Sequence, residues 1–280
     1  MNSMMFRAAT ALLLLLPQAA SAAPPAVTPE LVKAALPELE KYAEQTLKKT
    51  GVPGMVIAVV FQDQVVYLKG FGVREIGKPE PVDGDTVFQL ASVSKPMATT
   101  VLAALVGEGL IRWDDRIIDH DPGFRLLDPW VTREVTFRDL LCHRSGLPKH
   151  AGDLLEDMGY DRGEVLRRLR FVKPGYSFRG GYAYTNFGFT EAGVAGARAA
   201  GKSWEDLCFE KLYKPVGMPA TSSRYAEYAA AKDRAKLHAR VDGKFIAKYE
   251  REPDAQSPAG GVSSSGRDLE IGRASCRERV

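Results

Sequence analysis

From Thr28 onward the spacing of apolar residues changes character three times. "TPELVKAALPELEKYAEQTLKKTG" (residues 28–51) carries its apolar positions at helical spacing. Thr28 is placed to cap this helix, Pro29 suits its first turn, and Gly51 suits its end. "GMVIAVVFQDQVVYLKGFGV" (54–73) then holds two β-branched runs on either side of Gln62-Asp63-Gln64, the pattern of a hairpin whose second strand closes at Gly70 and Gly72. From Pro96 the helical period returns. Met97, Val101, Leu102, Leu105 and Val106 share one side, and Gly107 and Gly109 fray the end.

Residues 111–225 alternate short helical signals ("TFRDLLCH", "GEVLRRLRFV", "WEDLCFEKLY") with Pro- and Gly-rich loops, without an internal repeat or a long linker. The predicted order is helix, hairpin, then a long and mainly helical stretch. Two strands do not make a stable sheet alone. Either helices cover the hairpin or further strands arrive late, and no late strand is legible in the pattern.

Ahead of this, "MNSMMFRAATALLLLLPQAASAAPP" reads as a secretory leader. Arg7 supplies its positive start, Ala8 to Leu16 its apolar core, and Ala20-Ser21-Ala22 a small-residue cleavage site. The core is short for a bilayer span. Residues 1–22 are therefore expected to be a signal peptide cut after Ala22, with secreted or periplasmic delivery and no stable membrane anchor.

Hydrophobic residues at 45% and charged residues at 26% fit a globular protein. The formal charge is +3, and Arg7 together with three arginines against two glutamates in the last eleven residues accounts for two of those charges. No basic stripe remains to suggest nucleic acid. Cys142, Cys208 and Cys276 form no framework; Cys142 and Cys208 are expected as two buried thiols, with a bridge between them left open. The four histidines have no HExxH or CxxC context, so neither a metal nor a cofactor is expected.

Candidate chemistry begins in "ASVSKPMATT" (91–100). In S-x-x-K the side chains at i and i+3 share a helix face, so Lys95 can reach the hydroxyl of Ser92, whereas Ser94 points elsewhere. An alcohol needs such a base to become a nucleophile, and Lys95 needs burial or a cationic neighbour to be unprotonated. The helix start favours developing negative charge at Ser92. On spacing alone a cap or surface serine is the commoner meaning. "GGYAYTNFGF" (180–189) supplies a second element, in which Tyr184 and Asn186 lie on the same side of an extended loop. A phenol held near an ammonium loses its proton more readily, so Tyr184 can share the proton shuttle. The Asn186 amide can orient Lys95 and a substrate carbonyl.

Together and in this order, the two motifs resemble the penicillin-binding-protein and serine β-lactamase superfamily, closest to its class C form. "FQLASVSKPMATTVLAALVGEGLIRWDD", "VTFRDLLCHRSGLP" and "PAGGVSSSGRDL" look like stretches of the same family, and the likeness runs from about residue 30 to 269. It is strongest to the broad group of β-lactamase-related serine hydrolases, which includes esterases and D-amino-acid peptidases. The resemblance implies an α+β fold, an α/β sandwich in which an antiparallel sheet is flanked by helices beside a mainly helical subdomain. It implies that Ser92 attacks an acyl carbonyl, that Lys95 and Tyr184 carry the proton, and that Asn186 binds substrate. The backbone N–H of Ser92 would form half of an oxyanion hole. His143, in the family-like "HRSG", is expected to be structural. No G-x-S-x-G occurs, which argues against an α/β-hydrolase.

The family's third element, K-T-G or H-T-G, follows Y-x-N on a strand. Here the one K-T-G is Lys49-Thr50-Gly51, which precedes Ser92 and reads as a helix stop. After Leu269 the chain turns Arg-rich and loses apolar periodicity. Residues 270–280 are expected to be a non-native, adapter-derived tail behind a partial hydrolase domain spanning 28–269. The later sheet strands would then be missing, and the 280-residue chain would be poorly stable and inactive. The expected function is a secreted serine hydrolase acting through an acyl-enzyme on a β-lactam, a D-amino-acid peptide or a small ester. Its substrate would be a small molecule or peptide, with peptidoglycan-derived compounds among the candidates. A D-Ala-D-Ala carboxypeptidase, an esterase and a non-catalytic peptidoglycan-binding homologue are the alternatives.

Overall fold

The computed structural model describes residues 26–275, with side-chain surroundings up to Glu270. The expected leader and Cys276 lie outside the described residues. Helix α1 (Pro29–Thr50) starts where Thr28 Oγ1 accepts the Leu31 N–H at 3.3 Å, and it ends where Gly51, at φ +73°, donates its N–H to Leu47 O. Lys49-Thr50-Gly51 is thus the stop of this helix. Strands β1 (Gly54–Phe61) and β2 (Gln64–Gly72) pair antiparallel from Gly54↔Gly72 to Phe61↔Gln64, with a register shift between Val59 and Val60. The turn is tighter than expected. Gln62 and Asp63 alone make it, at φ +48° and +62°, and Gln64 already pairs with Phe61.

Strand β3 (Val87–Gln89) leads through a single 3₁₀ turn, Ala91–Val93, into helix α2 (Ser94–Gly107). "TFRDLLCH" contains α3 (Phe137–Leu141), which opens with a capping box between Thr136 and Asp139. Next come α4 (Asp153–Asp157), α5 (Arg162–Arg168), α6 (Asn186–Ala199) and α7 (Trp204–Cys208). The expectation that no strand arrives late is corrected. Strands β4 (Ala239–Val241) and β5 (Lys244–Ile246) form a small hairpin, and β6 (Ser263–Ser265) pairs antiparallel with β3. Each is three residues long, too short for alternation to declare itself. The β6 sequence is all serine and yet buried, with Ser264 Oγ bonded to Thr221 Oγ1 at 2.6 Å. Among the described residues β1 and β2 pair only with each other. The architecture is α+β, as expected.

The core lies between α2, α6 and the short helix α8 (Ser257–Gly260). Val101, Leu102 and Leu105 of α2 and Phe187, Ala192 and Ala195 of α6 are completely or almost completely buried. Close approach depends on two glycines of α6. A Cβ on Gly193 would sit 2.6 Å from Pro258 Cβ, and one on Gly196 would sit 2.3 Å from Leu102 Cδ2. This packing of α6 against both α8 and α2 gathers the chemically active residues. Helix α9 (Gly266–Ser275) continues past Leu269 and, with α1, packs on the β1–β2 hairpin. Cys142 and Cys208 are both free, which answers the open question of a bridge; Cys208 is buried, but Cys142 is exposed, which corrects the expectation of two buried thiols. Cys142 directly follows α3, where the chain leaves the core. Among the described residues no helix is long and apolar enough to cross a membrane.

Candidate active site

Leu90 donates its N–H to Val262 O at 2.8 Å, and Ala91 then takes φ +46°, a conformation that favours glycine. This bend places Ser92 in the 3₁₀ turn with its side chain exposed, while Ser94 is fully buried. Ser94 Oγ donates to Ala91 O at 2.6 Å and accepts the Val262 N–H at 2.9 Å, so it ties the start of α2 to the segment before β6. The two serines thus differ in their surroundings. Ser94 is committed to the fold and Ser92 faces the site.

Ser92 Oγ lies 2.6 Å from Tyr184 Oη and 3.4 Å from Lys95 Nζ. Lys95, itself buried, also donates to Asn186 Oδ1 at 2.8 Å and to Ala259 O at 2.9 Å. An ammonium has three donors, and here it meets three acceptors. Once neutral, the amine keeps two N–H groups for the two carbonyls and turns its lone pair to the side where the Ser92 and Tyr184 hydroxyls meet. Burial pushes Lys95 below the ordinary lysine range, while Tyr184 and the Asp153 carboxylate pull it back up. Its Nζ also lies 4.6 Å from the centre of the Tyr184 ring.

Asn186 is the first residue of α6, rather than part of an extended loop as its sequence suggested. Thr185 before it is extended, and this change of conformation turns Tyr184 toward Ser92 while Asn186 faces Lys95. His143 is buried against Tyr184, with ring centres 4.6 Å apart, and its Nδ1 accepts the Thr185 N–H at 3.2 Å. Burial, and after it the charge on Lys95, holds His143 down at about 4, so it is neutral at physiological pH. The approach to Tyr184 is pinned from below: buried Asp139 accepts from Arg144 at 2.7 Å and from Arg179 at 2.8 Å, and Ala183 donates to His143 O at 2.9 Å. Ala91, His143, His150 and Arg179 all have positive φ, between +46° and +61°. Such concentration of backbone strain around one constellation is characteristic of functional sites.

All four residues singled out in the sequence therefore meet. Ser92, Lys95, Tyr184 and Asn186 form one connected group. Sequence reasoning missed three neighbours. Ala259 O, in the family-like "PAGGVSSSGRDL", receives Lys95. Asp153 Oδ2 accepts from Asn186 Nδ2 at 2.9 Å and from His150 Nδ1 at 2.8 Å. No spacing rule marks an aspartate 33 residues ahead of Asn186, and a backbone carbonyl has no sequence signature. Among the described residues no group of side chains is suited to a metal ion.

The Beta-lactamase family profile matches residues 39–271. Unguisins hydrolase ungD' of Aspergillus campestris is 28% identical over 221 residues, covering 75% of this chain and 39% of its own length. Penicillin-binding protein 4 of Amycolatopsis lactamdurans is 34% identical over 173 residues, covering 60% of this chain and 44% of its own. The chain thus spans about two-fifths of the length of these relatives. The octameric penicillin-binding protein homologue from Pyrococcus abyssi superposes with a TM-score of 0.73 at 24% identity, over 87% of this chain and 56% of that one. That likeness is one of fold.

Proposed function

The chain belongs to the Beta-lactamase family, and on that premise we propose that it is a serine hydrolase that cleaves amide or ester bonds through an acyl-enzyme. The Ser92 hydroxyl proton passes to neutral Lys95, directly or through Tyr184 Oη, as the oxygen bonds to the substrate carbonyl carbon. The carbonyl oxygen takes the negative charge, stabilised in part by the Ser92 N–H. When the tetrahedral intermediate collapses, the bond to the leaving nitrogen or oxygen breaks and that atom takes the proton back. Water then attacks the acyl-enzyme by the same route, releasing the acid and restoring the Ser92 hydroxyl. Asn186 holds Lys95 and meets the substrate.

The observation that carries this reading is the coordination of Lys95. Two carbonyls occupy two of its donors and leave the third direction to Ser92 Oγ. Burial also favours the neutral amine that the step requires. The substrate classes are β-lactams, D-amino-acid peptides and small esters, met outside the cytoplasm after removal of a leader at Ala22. Ser92, Lys95, Tyr184 and Asn186 lie within hydrogen-bonding reach of one another. The chain should therefore be acylated by a small reactive probe.

Labelling with a fluorophosphonate fluorophore tests the proposal. The chain should be labelled, and Ser92→Ala should lose at least ~1,000-fold in labelling rate with an unchanged melting temperature. An unlabelled chain, or equal labelling of Ser92→Ala, overturns it.

A further inference from the structure

Asp153 has no part in the family-like motifs, yet it lies one hydrogen bond behind Asn186, the amide that holds Lys95. Its Oδ2 takes two donors, Asn186 Nδ2 at 2.9 Å and His150 Nδ1 at 2.8 Å, while its Oδ1 is buried without a partner. A bland explanation is an i,i+3 pair between Asp153 and His150 at a helix start, and an exposed pair of that kind is worth little. Three details oppose it. Asp153 is the first residue of α4 but caps none of its N–H groups; the preceding Gly152 holds the cap position and offers no side chain. A carboxylate oxygen buried without a donor carries an unrecovered desolvation cost, which a residue kept for stability alone would avoid. The donor at 2.9 Å is the amide that holds Lys95.

We propose that Asp153 is a positioning residue that fixes the direction of the Asn186 amide, and so aims Lys95 at Ser92, with His150 anchoring the carboxylate. Like any asparagine, Asn186 has an acceptor end and a donor end that exchange by a half-turn. In the observed direction the carbonyl oxygen faces Lys95 and the NH₂ faces Asp153. The half-turn would set NH₂ against the lysine donors and a carbonyl against a carboxylate, two repulsive contacts at once. Without Asp153 only the first opposes the turn. That opposition weakens when Lys95 is neutral, since its lone pair can then accept from the amide. A neutral Lys95 drawn to Asn186 in this way would no longer offer its lone pair to Ser92, so Asp153 matters most in the reactive protonation state.

His150 completes the support. Its Nδ1–H is spent on Asp153, and its backbone N–H holds Tyr184 O at 2.9 Å, so one residue at φ +59° braces both sides of the site. The charge of Asp153 has a second, opposing influence because it favours the protonated form of Lys95. Lys95 also faces Tyr184, which favours protonation as well, and His143, which stays neutral. Removing the carboxylate charge should therefore shift the appearance of neutral Lys95 to lower pH, whatever happens to the amide. Orientation and charge can be separated, because an asparagine at 153 retains an acceptor for Asn186 and discards the charge.

This inference rests on Ser92 being the acyl acceptor. The test measures fluorophosphonate labelling rates of the whole chain between pH 5 and 10 for the wild type, Asp153→Asn, Asp153→Ala and Ser92→Ala, with a thermal melt of each. Asp153→Ala should label roughly 10- to 100-fold more slowly near neutrality, the scale expected of a misdirected catalytic group. Asp153→Asn should recover to within a few-fold of the wild type, and its rising limb should move to lower pH. A wild-type rate in Asp153→Ala overturns the inference. So does an Asp153→Asn protein as slow as the alanine variant, or one whose limb stays in place. If the alanine variant fails to fold, Asp153→Leu, which keeps the bulk of the side chain and offers no acceptor to Asn186, takes its place, and a wild-type labelling rate there overturns the inference. Undiminished labelling of Ser92→Ala would instead sink the acyl-acceptor assignment beneath it.

Discussion

The helical centre and the β1–β2 hairpin fold by different rules. Where α2, α6 and α8 face one another the side chains are buried, and polar groups as well as apolar ones are held: Ser94, Lys95 and Asn186 each have named partners. The hairpin is half-buried under α1 and α9, and its Val65 and Val66 remain 42% and 37% exposed. Ser92, Lys95, Tyr184, Asn186 and the Asp153–His150 pair belong to the helical side. The arrangement of these side chains is therefore set from the helical side, where displacements in a close-packed core are costly.

Substitution in the two regions tests that contrast most severely. Phe187→Ala, in the completely buried second position of α6, should cost about 3–5 kcal/mol in urea unfolding. Val65→Ala should stay within about 0.5 kcal/mol. Comparable losses at both sites would abolish the distinction.

A pH titration of stability sharpens it next. His143 is held down at about 4, against an ordinary imidazole value of about 6.5. Between these values the unfolded chain binds a proton that the folded chain refuses. The His143 contribution is thus complete above about pH 6.5 and is lost as pH falls toward 4, by roughly 3 kcal/mol. Urea melts at pH 7.5 and 4.5 should show this fall in the wild type and a smaller one in His143→Gln, which has no imidazole to protonate. Equal falls would mean that His143 is not the buried neutral group. A smaller effect than that of His143 belongs to the periphery: Thr28→Ala removes the α1 cap and should cost about 1 kcal/mol, with fluorophosphonate labelling of Ser92 unchanged.

Legibility followed the range of the interactions. The α1 boundaries were readable because Thr28, Pro29 and Gly51 act on residues a few positions away. The hairpin was readable through its β-branched runs, though the turn proved to be two residues rather than three. Strands β4, β5 and β6 escaped notice because three residues carry too little pattern, and the buried serines of β6 contradict the usual link between burial and apolarity. The proximity of Ser92 and Lys95 was legible from i,i+3 geometry within a single turn. Tyr184 and Asn186 came into view through the resemblance of their motif. Their distances to Ser92 and Lys95 span about 90 residues of chain, beyond any local rule.

The sequence by itself determined the first helix, the hairpin, the helical run behind Lys95 and the chemical identity of the four candidate groups, since these depend on local spacing and side-chain type. Only the tertiary structure decided that Ser94 is spent on Val262, that Lys95 has one direction left for Ser92, and that Asp153 stands behind Asn186. Those outcomes depend on which distant segments fill the space around a side chain. Here the space was set by the packing of α6 on α2 and α8 and by the bends at Ala91 and His143.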